Sequence, residues 1–236
     1  MDKMSKIIGV LGGMGPEATA DLFAKIIHAT PAISDQEHLR IIIDNNPQIP
    51  DRTAAIMGQG PNPLPLLVDT ANNLVRAGAE FLIMPCHTAH YYYEELQKNC
   101  PVPILNMIEE SVRQACEAIS LLHRIGLLAS RGTIIAGLYD GIFNKRGVEV
   151  LTPRGEQLEQ IMEVIYGVKE GRPRGELKPL WRPVVDDLLQ RNIQALILGC
   201  TELPLVIDAA EIAVPVLDPT NILAQRAVEY ARNNEG

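Results

Sequence analysis

Short apolar runs recur along the chain, and most are followed by a stretch whose apolar residues repeat at helical spacing. Lys6 to Leu11 is the first run and is predicted as a strand. Gly12-Gly13-Met14-Gly15-Pro16-Glu17 makes a turn, with Pro16 suited to a helix start. Residues 17–29 carry Ala20, Phe23 and Ile27, with Leu22 and Ile26 beside them, on one helical stripe. His38 to Asp44 reads as a second strand, and the polar, proline-broken stretch from Asn45 to Arg52 as a long loop. Irregular chain continues over Pro61 to Pro65. A helix is expected from Leu66 to Ala77, stopped at Gly78, then a strand at Phe81 to Met84. Tyr91 to Asn99 reads as a helix, Val102 to Leu105 as a strand and Ile108 to Leu122 as a helix.

The pattern then begins again. Arg124 to Ala129 is a strand, and Ser130-Arg131-Gly132-Thr133 opens a helix. Val148 to Val150 is a strand. Residues 155–168 and 176–191 are helical, separated by the polar stretch Glu170 to Gly175. Strands follow at Ala195 to Leu198 and Val214 to Leu217, and a last helix begins at Thr220. Three anchors match between the halves: Ile7-Ile8-Gly9-Val10-Leu11 with Arg124-Ile125-Gly126-Leu127-Leu128, Pro85-Cys86 with Gly199-Cys200, and Val102-Pro103-Ile104-Leu105 with Val214-Pro215-Val216-Leu217. Gly9 precedes Cys86 by 77 residues and Gly126 precedes Cys200 by 74, so the order and the spacing both repeat. Alternating strands and helices imply parallel sheets with right-handed crossovers. The expected architecture is α/β: two pseudo-symmetric lobes, each a parallel sheet flanked by helices, with the active site in the cleft between them. Residues 1–105 plus 214–236 are assigned to the first lobe and 106–213 to the second, an internal repeat of it.

Composition narrows the function. The 236 residues are 47% hydrophobic and 21% charged, enough to bury a sizeable core. A net charge of −8 and no basic cluster argue against nucleic acid and anionic membranes as partners. No apolar run reaches the roughly 18 residues of a membrane span, and the first residues lead straight into a strand, so a cytoplasmic location is expected. Cys86, Cys100, Cys116 and Cys200 are widely spaced and form no CxxC pair. In a reducing compartment that usage favours free thiols over a disulfide framework or a zinc site.

Two of those thiols close matched strands. Parallel sheets bind ligands beyond the carboxyl ends of their strands, and Cys86 and Cys200 both fall there. Inverting a stereocentre by proton transfer needs a base on one face of a carbon and an acid on the other. Two half-folds that each present one thiol meet that need, with one thiolate and one thiol exchanging roles as the direction reverses. Each cysteine precedes a turn or helix start, where a thiol pKa near 8.5 is lowered, so either is a candidate thiolate. Thr88 and Thr201, with nearby amides, are candidates to hold an α-carboxylate. Cys100 and Cys116 lack this context and are assigned to structure. A rival reading treats Gly13-x-Gly15-x-x-Ala18 as a dinucleotide loop with Asp44 as the ribose-binding acid. Pro16 stiffens that turn, and the motif explains neither the second cysteine nor the repeat. A third class is a non-catalytic protein that binds an acidic ligand.

The loop at 12–17, Pro-Asp-Arg-Thr at 50–53, Pro-Cys-His-Thr-Ala-His at 85–90 and Gly-Cys-Thr-Glu at 199–202 together resemble the aspartate/glutamate racemase family, closest to its cofactor-independent aspartate racemases. The resemblance implies two pseudo-symmetric α/β lobes and a two-thiol 1,1-proton transfer by Cys86 and Cys200. It implies neither pyridoxal phosphate nor a metal, a small acidic amino-acid substrate, and usually a homodimer. Arg52 and Lys169 match the cations that hold a substrate side-chain carboxylate, and Met14 and Thr133 are expected to line the cleft. Thr133 is equally a residue of a helix N-terminus. His87 departs from the asparagine more often found there; charged, it would depress the Cys86 pKa or attract an acid, and neutral it would do neither. His90 is assigned a capping or core role as readily as a functional one, Glu202 a role in orienting an amide or a neighbouring loop, and Tyr91-Tyr92-Tyr93 a packing role. The expected reaction is the interconversion of L- and D-aspartate, with a glutamate or cysteate racemase, or a two-lobed relative such as a maleate-type isomerase, a hydantoin racemase or a decarboxylase, as alternatives.

Overall fold

A computed structural model describes residues 5–233. The elements in order are β1 (Ile8–Gly12), α1 (Pro16–Ala29), β2 (Ile41–Asn45), α2 (Arg52–Ile56), α3 (Leu64–Arg76), β3 (Phe81–Ile83), α4 (Tyr93–Lys98), β4 (Ile104–Leu105) and α5 (Met107–Ala118). After these come β5 (Arg124–Ala129), α6 (Arg131–Ile135), α7 (Asp140–Phe143), β6 (Glu149–Leu151), α8 (Glu156–Lys169), α9 (Arg174–Gln190), β7 (Ala195–Gly199), β8 (Val216–Leu217) and α10 (Pro219–Arg232). There are two parallel four-stranded sheets, ordered β2-β1-β3-β4 and β6-β5-β7-β8. The repeat seen in the sequence is therefore a repeat of topology. Each half starts on an inner strand, adds an edge strand, crosses back to the other inner strand and ends at the far edge.

In the first unit the period-two alternation of β3 separates two layers of core. Leu82 and Met84 pack with Leu11, Leu67 and Leu74 on the α3 side. Phe81 and Ile83 pack with Ile8, Leu22, Ile26, Leu223 and Val228, on the side covered by α1 and α10. The last helix is held to this unit by Lys6 N–H donating to Ala231 O at 2.9 Å, by the Phe81–Tyr230 ring contact at 4.7 Å and by Arg226 Nε on Glu110 at 2.8 Å. In the second unit Leu128, Leu196 and Leu198 pack under α8 and α9, around Val164, Ile165, Leu177, Trp181 and Leu188. Burying one such side chain contributes about 1.5–3 kcal/mol.

The glycine that opens each repeat has one job in both halves. A Cβ on Gly9 would sit 2.4 Å from Leu82 and 2.7 Å from Ala79; one on Gly126 would sit 2.7 Å from Ile193 and 3.0 Å from Leu196. Gly9 pairs with Leu82 and Gly126 with Leu196 in register. The missing side chain lets the neighbouring leucine lie flat across the inner strand.

The units divide at Glu110/Ser111 and Pro219/Thr220. The sequence boundaries at 105/106 and 213/214 fall a few residues short of these, and for the second the strand pairing gives the reason. Val216 and Leu217 form β8, which pairs with β7, so this segment stays with the second sheet. Other boundaries also move. The second strand begins at Ile41 rather than His38, after a 3-10 turn at Asp35–Glu37, and runs to Asn45. The long loop after it contains α2, capped by the Asp51 carboxylate, which accepts from Ala54 N–H at 2.7 Å. The expected helix from Tyr91 splits into a 3-10 turn, Thr88–Tyr92, and α4. The short α7 had no periodic signal.

Candidate active site

Cys86 lies just beyond β3, an inner strand of its sheet. Its N–H donates to Met84 O at 2.9 Å, a tight reversal that turns the chain off the strand and into the 3-10 turn. The side chain is buried in the cluster that holds Met14, Ile49, Met84 and Ala89. The sequence-predicted residues of the first unit thus gather at one end of one sheet. Met14 comes from the turn after β1. Ile49 anchors the loop that leads to Arg52, and α2, which begins at Arg52, packs against the turn Thr88–Tyr92. The Arg52 guanidinium folds over its own loop, Nη1 donating to Ile49 O at 3.1 Å and Pro50 O at 3.0 Å. Two backbone carbonyls thereby orient the cation that the sequence offered as a candidate for a substrate carboxylate.

His90 braces this segment. Met107 N–H donates to its Nε2 at 3.1 Å, which makes Nε2 the acceptor and assigns the proton to Nδ1. Nδ1–H then donates to Cys86 O at 2.8 Å. One neutral ring therefore satisfies two buried backbone groups and fixes the peptide that carries Cys86. Burial lowers its pKa to about 4, against the opposing effect of the bond to Cys86 O. His87 is lowered further, to about 3, by burial first and then by His90. His87 is therefore neutral at pH 7. Of the two alternatives left open by the sequence, burial favours the neutral ring.

The first turn is built to hold its shape. Gly13 has φ +94°, and a Cβ there would meet the Asn46 backbone at 2.3 Å. Its N–H donates to Thr19 Oγ1 at 2.9 Å, while Thr19 Oγ1 donates to Gly15 O at 3.0 Å. Asp44 accepts from Asn73 Nδ2 at 3.3 Å. The glycine loop is thus closed on Thr19 and Asn46, and the acid assigned to a ribose is engaged within the protein. A hollow of about 340 Å³ in this unit, lined by Phe23, Ile27, His38 and Ile41 among others, sits by the C-terminal half of α1, at the opposite end of the sheet from Cys86.

In the second unit Cys200 follows β7, the strand equivalent to β3. Thr201 and Glu202 are buried beside it. The Cys200 thiol donates to Glu202 Oε2 at 3.0 Å, and the Thr201 hydroxyl lies 3.4 Å from the same oxygen. Lys169 Nζ, from the last turn of α8, is 3.9 Å from Glu202 Oε1 and 5.7 Å from the Tyr166 ring centre. Part of Cys200 reaches solvent. Burial of the thiol nevertheless raises its pKa well above the usual cysteine value, the Glu202 carboxylate adds to this, and Lys169 works against it. This environment favours the protonated thiol of Cys200. Thr133 is buried in the cap of α6: Ser130 Oγ accepts its N–H at 3.3 Å and contacts its hydroxyl at 3.1 Å. Ser130 follows Ala129, which pairs with Gly199, so this cap and Cys200 stand at the same end of the second sheet. Sequence reasoning gave His90 and Glu202 minor roles. The available signals were a histidine four residues after one cysteine and an acid two residues after the other.

Two parallel α/β units, each with a cysteine beyond the same inner strand and a threonine within two residues of it, define the class: a two-lobed enzyme built on a repeated half-fold. Residues 11–227 match the family model of the Asp/Glu/hydantoin racemases, and the chain belongs to that family. The broad specificity amino-acid racemase RacX of Bacillus subtilis is 26% identical over 228 residues, covering 94% of this chain and 96% of that protein. The aspartate racemase of Picrophilus torridus superposes with a TM-score of 0.86 at 28% identity, over 96% of this chain and 94% of that one. A glutamate racemase of Aquifex aeolicus is 30% identical over 172 residues, 70% of this chain and 64% of that protein. The protein is an amino-acid racemase. Among the described residues, no helix is long and apolar enough to cross a membrane.

Proposed function

We propose that the protein interconverts L- and D-aspartate by 1,1-proton transfer between Cys86 and Cys200, one thiol on each face of the α-carbon. The observation that carries this reading is the matched placement of the two cysteines: each follows an inner strand of a sheet with the same strand order. Such a pair works without an electron-sink cofactor because the proton removed on one side is replaced on the other, so charge is moved rather than accumulated. Thr88 and Thr201, with the amides of their turns, hold the α-carboxylate. Met14, His87 and Thr133 shape the site around the α-carbon; His87 does so as a neutral ring. Arg52 and Lys169 take the side-chain carboxylate, Arg52 as a fork already oriented by Ile49 O and Pro50 O. Two cations, one from each unit, favour a dicarboxylic substrate.

Relatives named for aspartate and glutamate support an acidic amino acid as the class, and the likeness to the Picrophilus aspartate racemase over 94% of that chain supports aspartate. Glutamate and cysteate are the alternatives. The four cysteines are free thiols, which fits a reducing, cytoplasmic setting. A homodimer is the assembly that the family resemblance supports. A chiral assay of both enantiomers of aspartate, glutamate and cysteate, run on the wild type, Cys86→Ser and Cys200→Ser, tests the function. The reading requires aspartate turnover by the wild type and its loss in both variants. Turnover of neutral amino acids in preference to all three acids would overturn the substrate assignment.

A further inference from the structure

The repeat makes Cys86 and Cys200 topologically equivalent, but it does not make them chemically alike. Two residues after Cys86 stands Thr88; two residues after Cys200 stands Glu202. The Glu202 side chain is 4% exposed, and a carboxylate this buried is retained only where partners hold it. Its partners divide by oxygen. Oε2 accepts the Cys200 thiol at 3.0 Å with the Thr201 hydroxyl at 3.4 Å; Oε1 faces Lys169 Nζ at 3.9 Å. A neutral thiol donates a hydrogen bond to a carboxylate, whereas a thiolate in the same place would put two anions side by side. Lys169 counters this by neutralising Glu202 from its far side. The charged groups that act on the thiol are these two, Glu202 on its own turn and Lys169 from α8.

We infer that Glu202 is a positioning residue that keeps Cys200 as the protonated thiol in the free enzyme, with Lys169 setting the strength of that bias. The inference rests on the two-thiol reading proposed above and deepens it. The enzyme rests with a proton ready for delivery from Cys200, and Cys86 is the residue that must take the substrate proton first, as its thiolate. Turnover in one direction then starts from the resting form, while the other direction requires Cys200 to lose its proton beforehand. Because enantiomers have an equilibrium constant of one, kcat/KM is equal in the two directions. The bias therefore shows in kcat and KM separately and not in their ratio.

The test is alkylation by iodoacetamide, read at each cysteine by peptide mass mapping from pH 6 to 10 in the substrate-free protein. In Glu202→Gln the half-titration of Cys200 reactivity falls by about 1 in pH or more, with an unchanged limiting rate at high pH. In Lys169→Met it rises, and Glu202→Asp restores most of the wild-type value. Cys86 in the same samples moves less than half as far. Glu202→Gln also changes kcat for L→D and D→L by unequal factors, each matched by its KM. An unmoved Cys200 midpoint in Glu202→Gln overturns the inference. So does a shift of equal size at Cys86, or a rise in limiting rate alone, which would mark simple loosening of the turn. If Glu202→Gln does not fold, Lys169→Met decides: a Cys200 midpoint that stays or falls overturns it. None of the alkylation readouts requires racemisation, so failure there is separable from failure of the two-thiol reading, which the solvent-deuterium experiment tests.

Discussion

The two buried histidines beside Cys86 make the first unit lose stability in mild acid. Both titrate near 6.5 in an unfolded chain, but the fold lowers His90 to about 4 and His87 to about 3. Between 6.5 and those values the unfolded chain binds protons that the folded chain refuses, so stability is fully present above pH 6.5 and is lost as pH falls toward 4. Each such group changes stability by about 1.4 kcal/mol per pH. From pH 7 to pH 5 that is roughly 2 kcal/mol per histidine and roughly 4 for the pair, a large share of the 5–15 kcal/mol typical of a domain. Urea unfolding followed by far-UV circular dichroism at the two pH values measures the loss. The double variant His87→Asn, His90→Gln carries no ring at either buried position, and its glutamine can still accept from Met107 N–H and donate to Cys86 O. It should lose less than about 1 kcal/mol over the same interval. A wild type as stable at pH 5 as at pH 7, or a double variant that loses as much as the wild type, would refute the assignment of neutral, buried rings.

Further predictions concern single side chains. His90→Ala leaves the Cys86 carbonyl and the Met107 N–H without their shared partner; at about 1–3 kcal/mol for each buried group, melting should reveal a loss of roughly 2–6 kcal/mol, and His90→Gln should recover much of it. Gly13→Ala must move the Asn46 backbone and hold a side chain at φ +94°, so a destabilisation of at least about 2 kcal/mol is expected in urea titrations; a neutral result would deny that the loop is fixed. Arg52→Ala removes a charge-assisted contact to the substrate side chain, which at about 1.5–3 kcal/mol lowers kcat/KM for aspartate roughly 10–100-fold. Unchanged steady-state kinetics would take Arg52 out of the site.

How much of this was legible beforehand follows from which forces are local. The apolar runs that became β1, β3, β5 and β7 are buried on both faces, and such strands announce themselves as continuous hydrophobic stretches. The duplicated cysteine contexts were visible for the same reason, since each closes one of those runs. What escaped depended on tertiary partners. The α2 helix is five residues long, too short for a periodic pattern, and its start hangs on one Asp51 bond. The boundary near 214 moves because Val216 and Leu217 pair with β7, the place that their match to Ile104 and Leu105 in the repeat already indicated. His87 and His90 look like ordinary titratable residues in one dimension. Their neutrality is a product of burial, and the His90 tautomer is dictated by Met107, seventeen positions away. Glu202 carried a weak signal, an acid two residues past a thiol, whose meaning appears only once both side chains turn inward.

The central claim is that the α-proton leaves to one thiol and returns from the other. The direct measurement is turnover of L-aspartate in deuterium oxide, with the early products separated by chirality and weighed by mass spectrometry for the wild type, Cys86→Ser and Cys200→Ser. The account predicts one solvent deuterium at the α-carbon of nearly every D-aspartate formed by the wild type, and no racemisation by either variant. D-aspartate that retains the original proton, or racemisation that survives in either single variant, would contradict it.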